Sequence, residues 1–238
     1  MVVQNANQST ILDGFTIRGG NANGNSDFLG ISQGNLQGAG VFQQGGNGYF
    51  TLSNCVVKEN KAVDNGGGMY SRFAKTKIQD CQLTKQSSTR GGVFNRDGIA
   101  EITNCSFTEN DAAQGGAVMD VNQTSVYTDC TFTRNTATGS AIGGAASFVN
   151  STITVTRSQF LENTAPRGGA IRVSNGQVTF NSCLFKQNTA TAEGGAAYLD
   201  SGGSSLFSKT VFESNTAPKV GAFIKPFCTK RRLKTAFL

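Results

Sequence analysis

The 238-residue sequence contains no histidine and no tryptophan. Without histidine there is no Ser-His-Asp triad, no histidine general base and no His-ligated zinc. Proline occurs only 3 times, too rarely for a disordered Pro/Gly tract. Charged residues make up 15%, against about 25% in ordinary globular chains. No run of 18 apolar residues occurs, so no helix of this chain is expected to span a membrane. The opening MVVQNANQST lacks a charged segment followed by an apolar one and does not read as a secretory signal. Nothing points to a cofactor. What is abundant is glycine, 30 residues, about twice the usual share.

The glycines belong to a repeat. F-x-x-N recurs at Phe107–Asn110, Phe132–Asn135, Phe160–Asn163, Phe185–Asn188 and Phe212–Asn215. Degenerate copies stand at Val57–Asn60 and Leu83–Gln86, and Ile17 fits an eighth. From Val57 onward the lead positions are 24 to 28 residues apart. A glycine marker travels with them at Gly40, Gly68, Gly92, Gly116, Gly144, Gly169, Gly195 and Gly221. Two residues before the F slot stand Phe15, Cys55, Cys81, Cys105, Cys130, Ser158, Cys183 and Thr210. Three residues earlier stand Leu12, Leu52, Ile78, Ile102, Tyr127, Val155, Phe180 and Phe207, always across a pair of small or mostly polar residues. A spacing of two keeps one face of a strand. A spacing of three across a polar pair implies a bend.

Each repeat therefore reads as three short strands, two around the bend and one after the glycines. Such a unit buries nothing alone, but stacked copies do. The expected fold is all-β: a right-handed parallel β-helix of about eight coils over residues 1–224, a rod of roughly 38 Å. A β-propeller would need blades of about 40 residues. The Asn of F-x-x-N is expected to supply a positive-φ turn, and the glycine pair a tight corner. Two residues after the F slot, Glu59, Lys85, Glu109, Arg134 and Glu162 alternate in sign, as stacked neighbours should.

The quoted motifs FTEN, FTRN, FLEN, FKQN and FESN, with GGAV, GGAA and GGAI, resemble the repeats of the polymorphic outer-membrane protein family over about residues 11–224. That resemblance implies a passenger-like β-helix at the cell surface, outer membrane or outside the cell, with an adhesive or structural role. It implies a host-surface protein or a polysaccharide as partner. The chain starts inside a coil and has neither export signal nor membrane barrel, so upstream and downstream parts of a longer chain are expected.

Five cysteines, Cys55, Cys81, Cys105, Cys130 and Cys183, share one inward slot. Rungs about 4.8 Å apart fall inside the disulfide range, but in-register side chains point the same way. The slot also holds Phe15, Ser158 and Thr210. Packing as small buried groups is therefore favoured over disulfides, and both over a metal ladder, whose spacing matches no zinc motif. Cys228, outside the repeat, is expected to be free.

No catalytic set is evident. The 15 acidic residues are scattered, without the paired carboxylates of glycoside hydrolysis. The nearest constellation is Arg72, Arg96 and Asp120, each four after its glycine, with Asn95 alongside. It reads as a salt-bridge ladder before it reads as a sugar- or anion-binding patch. A pectate-lyase-like carbohydrate enzyme is the alternative to a non-catalytic role. Residues 21–38 exceed the repeat and are expected to leave the rod as a loop, where Phe28, Leu29 and Ile31 form an apolar knot that could make a contact. N-x-S/T at Asn7, Asn104, Asn122 and Asn150 is no more than chance expects here. Residues 225–238 are a non-repeat tail with five basic and no acidic residues, most of the net +6. The remaining body is nearly neutral, so no nucleic-acid-binding face is expected.

Overall fold

In a computed structural model, residues 1–5, 9–23, 37–140, 142–200, 202–221 and 223–224 are described. They contain strands and bends only, wound into a right-handed parallel β-helix. The apolar knot Phe28, Leu29 and Ile31, Cys228 and the basic tail lie outside the described residues.

Four parallel sheets run the length of the rod, with nine, eight, eight and seven strands. We number them I to IV in that order. One rung shows the plan: Val93–Arg96 joins sheet I, Ile99–Thr103 sheet II, Ser106–Thr108 sheet III and Asp111–Gln114 sheet IV. The eight strands of sheet III carry the eight F slots, so the coil count roughly matches the repeat. The fourth strand per coil was not foreseen. Its segments, such as Ser87–Arg90 and Thr164–Arg167, are short and turn at most one small side chain inward, Ala62, Ala112, Ala137, Ala165 and Ala190 on their coils. Their sheet is held by lateral backbone pairing.

Alternation works where it exists. In Ile99–Thr103, Ala100 and Ile102 are buried while Ile99 and Thr103 are exposed. The F slots stack face to face: Phe107, Phe132, Phe160 and Phe185 have ring centroids 4.7, 4.8 and 4.6 Å apart and nearly parallel planes. That is the spacing of neighbouring strands, so the register itself imposes the stack. Phe212 extends it at 5.0 Å, partly buried.

The positive-φ turn sits one residue earlier than expected. Glu59, Lys85, Glu109, Arg134, Glu162, Gln187 and Ser214 take φ of 51–56°. The Asn that follows is interior. Asn110, Asn135, Asn163 and Asn188 are at most 1% exposed. Each Nδ2 donates to the Oδ1 of the next rung's Asn at 2.8–3.0 Å and to a backbone carbonyl of the preceding rung. Asn60 and Gln86 begin this ladder and Asn215 extends it. A buried amide with all these partners costs little and fixes the register. The side chain is chosen for its bonds, and the bend falls to its neighbour.

That relocation also alters the charge ladder. Its members stand on bends, not strands. Glu109 binds Arg134 at 3.0 Å and Lys85 at 3.9 Å. Among the described residues Glu59 and Glu162 form no ion pair.

The glycine corners follow sterics. A Cβ on Gly144 would lie 2.1 Å from the Gly169 carbonyl oxygen, and one on Gly169 equally close to Gly195. Adjacent rungs meet there backbone to backbone, which only glycine permits.

Candidate functional site

The Arg72, Arg96, Asn95 and Asp120 constellation is split by the register. Arg72 pairs with Arg96 across adjacent strands of sheet I, but Arg96 pairs with Val121, while Asn95 pairs with Asp120. The glycine pair 115–116 precedes its strand by one residue more than 91–92 does, so counting from glycine puts Asp120 on the wrong face. One residue of slip reverses every side chain.

Asn95 and Asp120 lie inside the rod, both fully buried. Asn95 Nδ2 donates to Asp120 Oδ1 at 2.9 Å, and the Tyr127 hydroxyl donates to Oδ2 at 2.9 Å. Burial pushes the Asp120 carboxyl above the ordinary carboxylate range, against the pull of the Asn95 amide. Burial also raises the Tyr127 phenol well above its usual value. This carboxyl meets no solvent and holds the core together.

Arg72 and Arg96 face outward on adjacent rungs, after Gln44 in the same row. Arg96 Nε donates to Asp97 Oδ2 at 2.8 Å. Among the described residues its terminal amino groups make no hydrogen bond. The Arg72 guanidinium lies over the Phe73 ring, 4.6 Å from its centroid, and its buried Nε has no hydrogen-bond partner among the described residues.

Phe73 itself was not read from the sequence. It occupies the bend between sheets I and II. The residues stacked in that column are Asn5, Gly45, Phe73, Asp97, Asn122, Asn150 and Asn175, all with φ between 47 and 65°. Asn, Asp and Gly tolerate that region, and a bulky ring does not. Phe73 is the one aromatic residue at positive φ among the described residues, and it is 51% exposed. The signal was present: aligned by strand register, one Phe interrupts a column of Asn, Asp and Gly.

The cysteine slot is explained by hydrogen bonding, not by bulk alone. Cys55, Cys81, Cys105, Cys130 and Cys183 are free thiols, 1–3% exposed. Each Sγ donates to the carbonyl two residues before it, at 3.0 Å for Cys55 and Cys81. Ser158 and Thr210 repeat this at 3.0 Å through their hydroxyls. The slot thus takes a small S–H or O–H donor. Phe15, at the amino-terminal end of the stack, is 55% exposed and is not an inward group. Burial pushes the Cys130 thiol up to about 12. The Cys105 thiol is raised by its hydrogen bond to Cys81 and by burial. The enclosed Cys105 and Cys130 thiols, held neutral, are poor nucleophiles.

A shallow depression of about 310 Å³ lies over the bend between sheets II and III, lined by Asp80, Asn104, Asp129 and the Cys81 and Cys105 walls. Asn104 Nδ2 donates to Asp80 Oδ1 at 2.7 Å, and Arg157 grips both oxygens of Asp129 at 2.8 and 2.7 Å. The guanidinium holds the exposed Asp129 carboxyl below its usual range. Among the described residues no group of three or more His, Cys, Asp or Glu is placed to hold a metal ion.

These features define a parallel β-solenoid whose distinctive surface chemistry lies on its bends. The right-handed β-helix region family matches residues 39–217, most of the chain, and the protein belongs to that family. No curated protein and no solved structure matches the chain.

Proposed function

We propose that the protein is an extracellular or cell-surface β-helix that presents a binding face and performs no chemistry of its own. The observation that carries this reading is where the carboxylates go. Asp64 binds Arg90, Glu109 binds Arg134, Asp129 binds Arg157, Glu193 binds Arg167 and Lys219, Asp200 binds Arg172 and Glu213 binds Lys186. All of these pairs join one rung to the next. Acidic groups so engaged stabilise a rod and are poor candidates for proton transfer. The likeness of the FTEN and GGAI repeats to polymorphic outer-membrane proteins supports an adhesive role at the cell surface.

The experiment is a binding and turnover assay of the purified chain on arrays of polysaccharides and host-surface proteins. Saturable binding without new reducing ends or unsaturated products is expected, and product formation sinks the reading. A pectate-lyase-like carbohydrate enzyme is the second reading. It is favoured by the depression that holds Asp80 and Asp129 two rungs, about 10 Å, apart. Turnover abolished by Asp80→Asn or Asp129→Asn would select it.

A further inference from the structure

The bend between sheets I and II combines three features that the stability of the rod does not call for. Phe73 holds a ring in a backbone region where its stacked neighbours are Asn, Asp or Gly. A non-glycine residue there costs free energy, and an aromatic one more than Asn. The residue is half open to solvent, so burial returns little of that cost. Strain kept at an exposed position points to use of the side chain.

The second feature is charge. Arg72 and Arg96 stand in register on adjacent rungs, like charges about 4.8 Å apart at the backbone. Asp97 engages only the Nε of Arg96. Arg72 has no ion pair among the described residues, and its guanidinium lies over the Phe73 ring. Side by side, like charges on neighbouring strands repel, unless an anion bridges them. Two planar guanidinium forks suit a carboxylate or sulfate.

The third feature is room. On the rung before Phe73 the bend is Gly45 followed by Gly46, with no side chains to cover the ring's flank. The backbone amides of Gly45 and Phe73 are already bonded to the next rung, so the bend offers no edge to an extended peptide. It offers an aromatic face beside paired cations.

We infer that Phe73, Arg72 and Arg96 form a binding subsite for a saccharide that carries a carboxylate or sulfate. The sugar ring lies along the exposed Phe73 face and its acidic group bridges the two guanidinium groups. The inference deepens the reading of a displayed, non-catalytic binding face and rests on it.

The test uses the whole chain and titrates a uronic-acid oligosaccharide, its methyl ester, a sulfated oligosaccharide and poly-glutamate. Variants are Phe73→Asn, the double change Arg72→Gln with Arg96→Gln, and Arg134→Gln as a distant control. Binding of the acidic oligosaccharides is expected, with loss on esterification. Phe73→Asn should weaken it about tenfold while raising the melting temperature by about 2–4 °C, because Asn suits the bend. The double Arg variant should abolish binding, and Arg134→Gln should leave it unchanged. Equal affinity of wild type and Phe73→Asn overturns the subsite, as does poly-glutamate binding as tightly as the sugar. Binding of other surfaces by a wild-type chain that ignores the acidic oligosaccharides overturns this site alone. Turnover of the saccharide overturns the non-catalytic reading and leaves the site standing.

Discussion

The two halves of the rod are wound alike and filled differently. In sheet I the inward row runs Val3, then Gln43, Ser71, Asn95 and Asp120, then Phe148, Val173 and Leu199. In sheet II the same row runs Phe50, Thr76, Ala100, Ser125, Ile153, Val178 and Ser205, with its polar members Thr76 and Ser125 in the early half and only Ser205 at the far end. The early half carries a polar vein. Ser71 and Thr76 hydroxyls meet at 2.7 Å, and Thr76 Oγ1 donates to Gln43 Oε1 at 2.8 Å. The later half is aromatic: Phe180 stacks on Phe207 at 5.0 Å and sets its edge against Phe185 at 5.4 Å. Backbone pairing is the same throughout, so the fold tolerates either filling. The aromatic half draws its stability from burial. The polar half gains directional bonds that hold only in one register, and pays with desolvated groups that must stay paired.

The comparison can be broken at several points. The largest effect is expected from Phe160→Ala, which removes a fully buried ring between two stacked partners. It should cost about 3–5 kcal/mol in urea unfolding, and a loss under 1 kcal/mol would mean the stack contributes little. Next is Asn135→Ala in the amide ladder shared by both halves. It removes the acceptor of the Asn110 main-chain amide and a donor to the Phe107 carbonyl, and it breaks the side-chain ladder at Asn110 Nδ2 and Asn163 Oδ1, which keep their bonds to the Leu83 carbonyl and from the Asn135 main-chain amide. A cost of about 2–4 kcal/mol is expected.

Asp120→Asn sharpens the polar half through pH. The folded carboxyl holds its proton more tightly than the unfolded one, because burial raises its pKa. Its contribution is therefore fullest below the unfolded value of about 3.9 and is lost as pH rises through the folded value. The difference in urea midpoint between Asp120→Asn and wild type should grow in the variant's favour across that range. A constant difference would mean that Asp120 titrates as if exposed. The smallest effect is Cys105→Ser, expected within about 1 kcal/mol because Ser158 and Thr210 fill the same slot. A thiol reagent should label the five ladder cysteines only on unfolding.

The repeat made the solenoid legible because each coil repeats the same steric demands. Large apolar groups at the F slots, small buried groups at the cysteine slot and glycines at the corners could all be placed by spacing alone. Four things escaped that reading. The fourth strand is marked by one small residue per coil, the Ala two after the Asn at Ala112, Ala137, Ala165 and Ala190, and not by large apolar groups. The Asn of F-x-x-N looked like a turn former because Asn suits both turns and buried amide ladders, and composition does not separate the two. The Arg72, Arg96 and Asp120 grouping failed by a single residue, since glycine spacing is not strand register. Phe73 needed the register as well, for only against Asp97, Asn122 and Asn150 is it out of place.

The amide ladder also makes the rod a one-way object. From Asn110 to Asn188, each side-chain amide donates forward along the chain and each amide oxygen receives from behind. The two ends therefore speak different chemical languages, and a unit turned end for end cannot continue the sentence. Whole coils of 24–28 residues can be added or removed without disturbing that order, whereas half a coil cannot. Length becomes a quantity that duplication can tune while every junction stays the same.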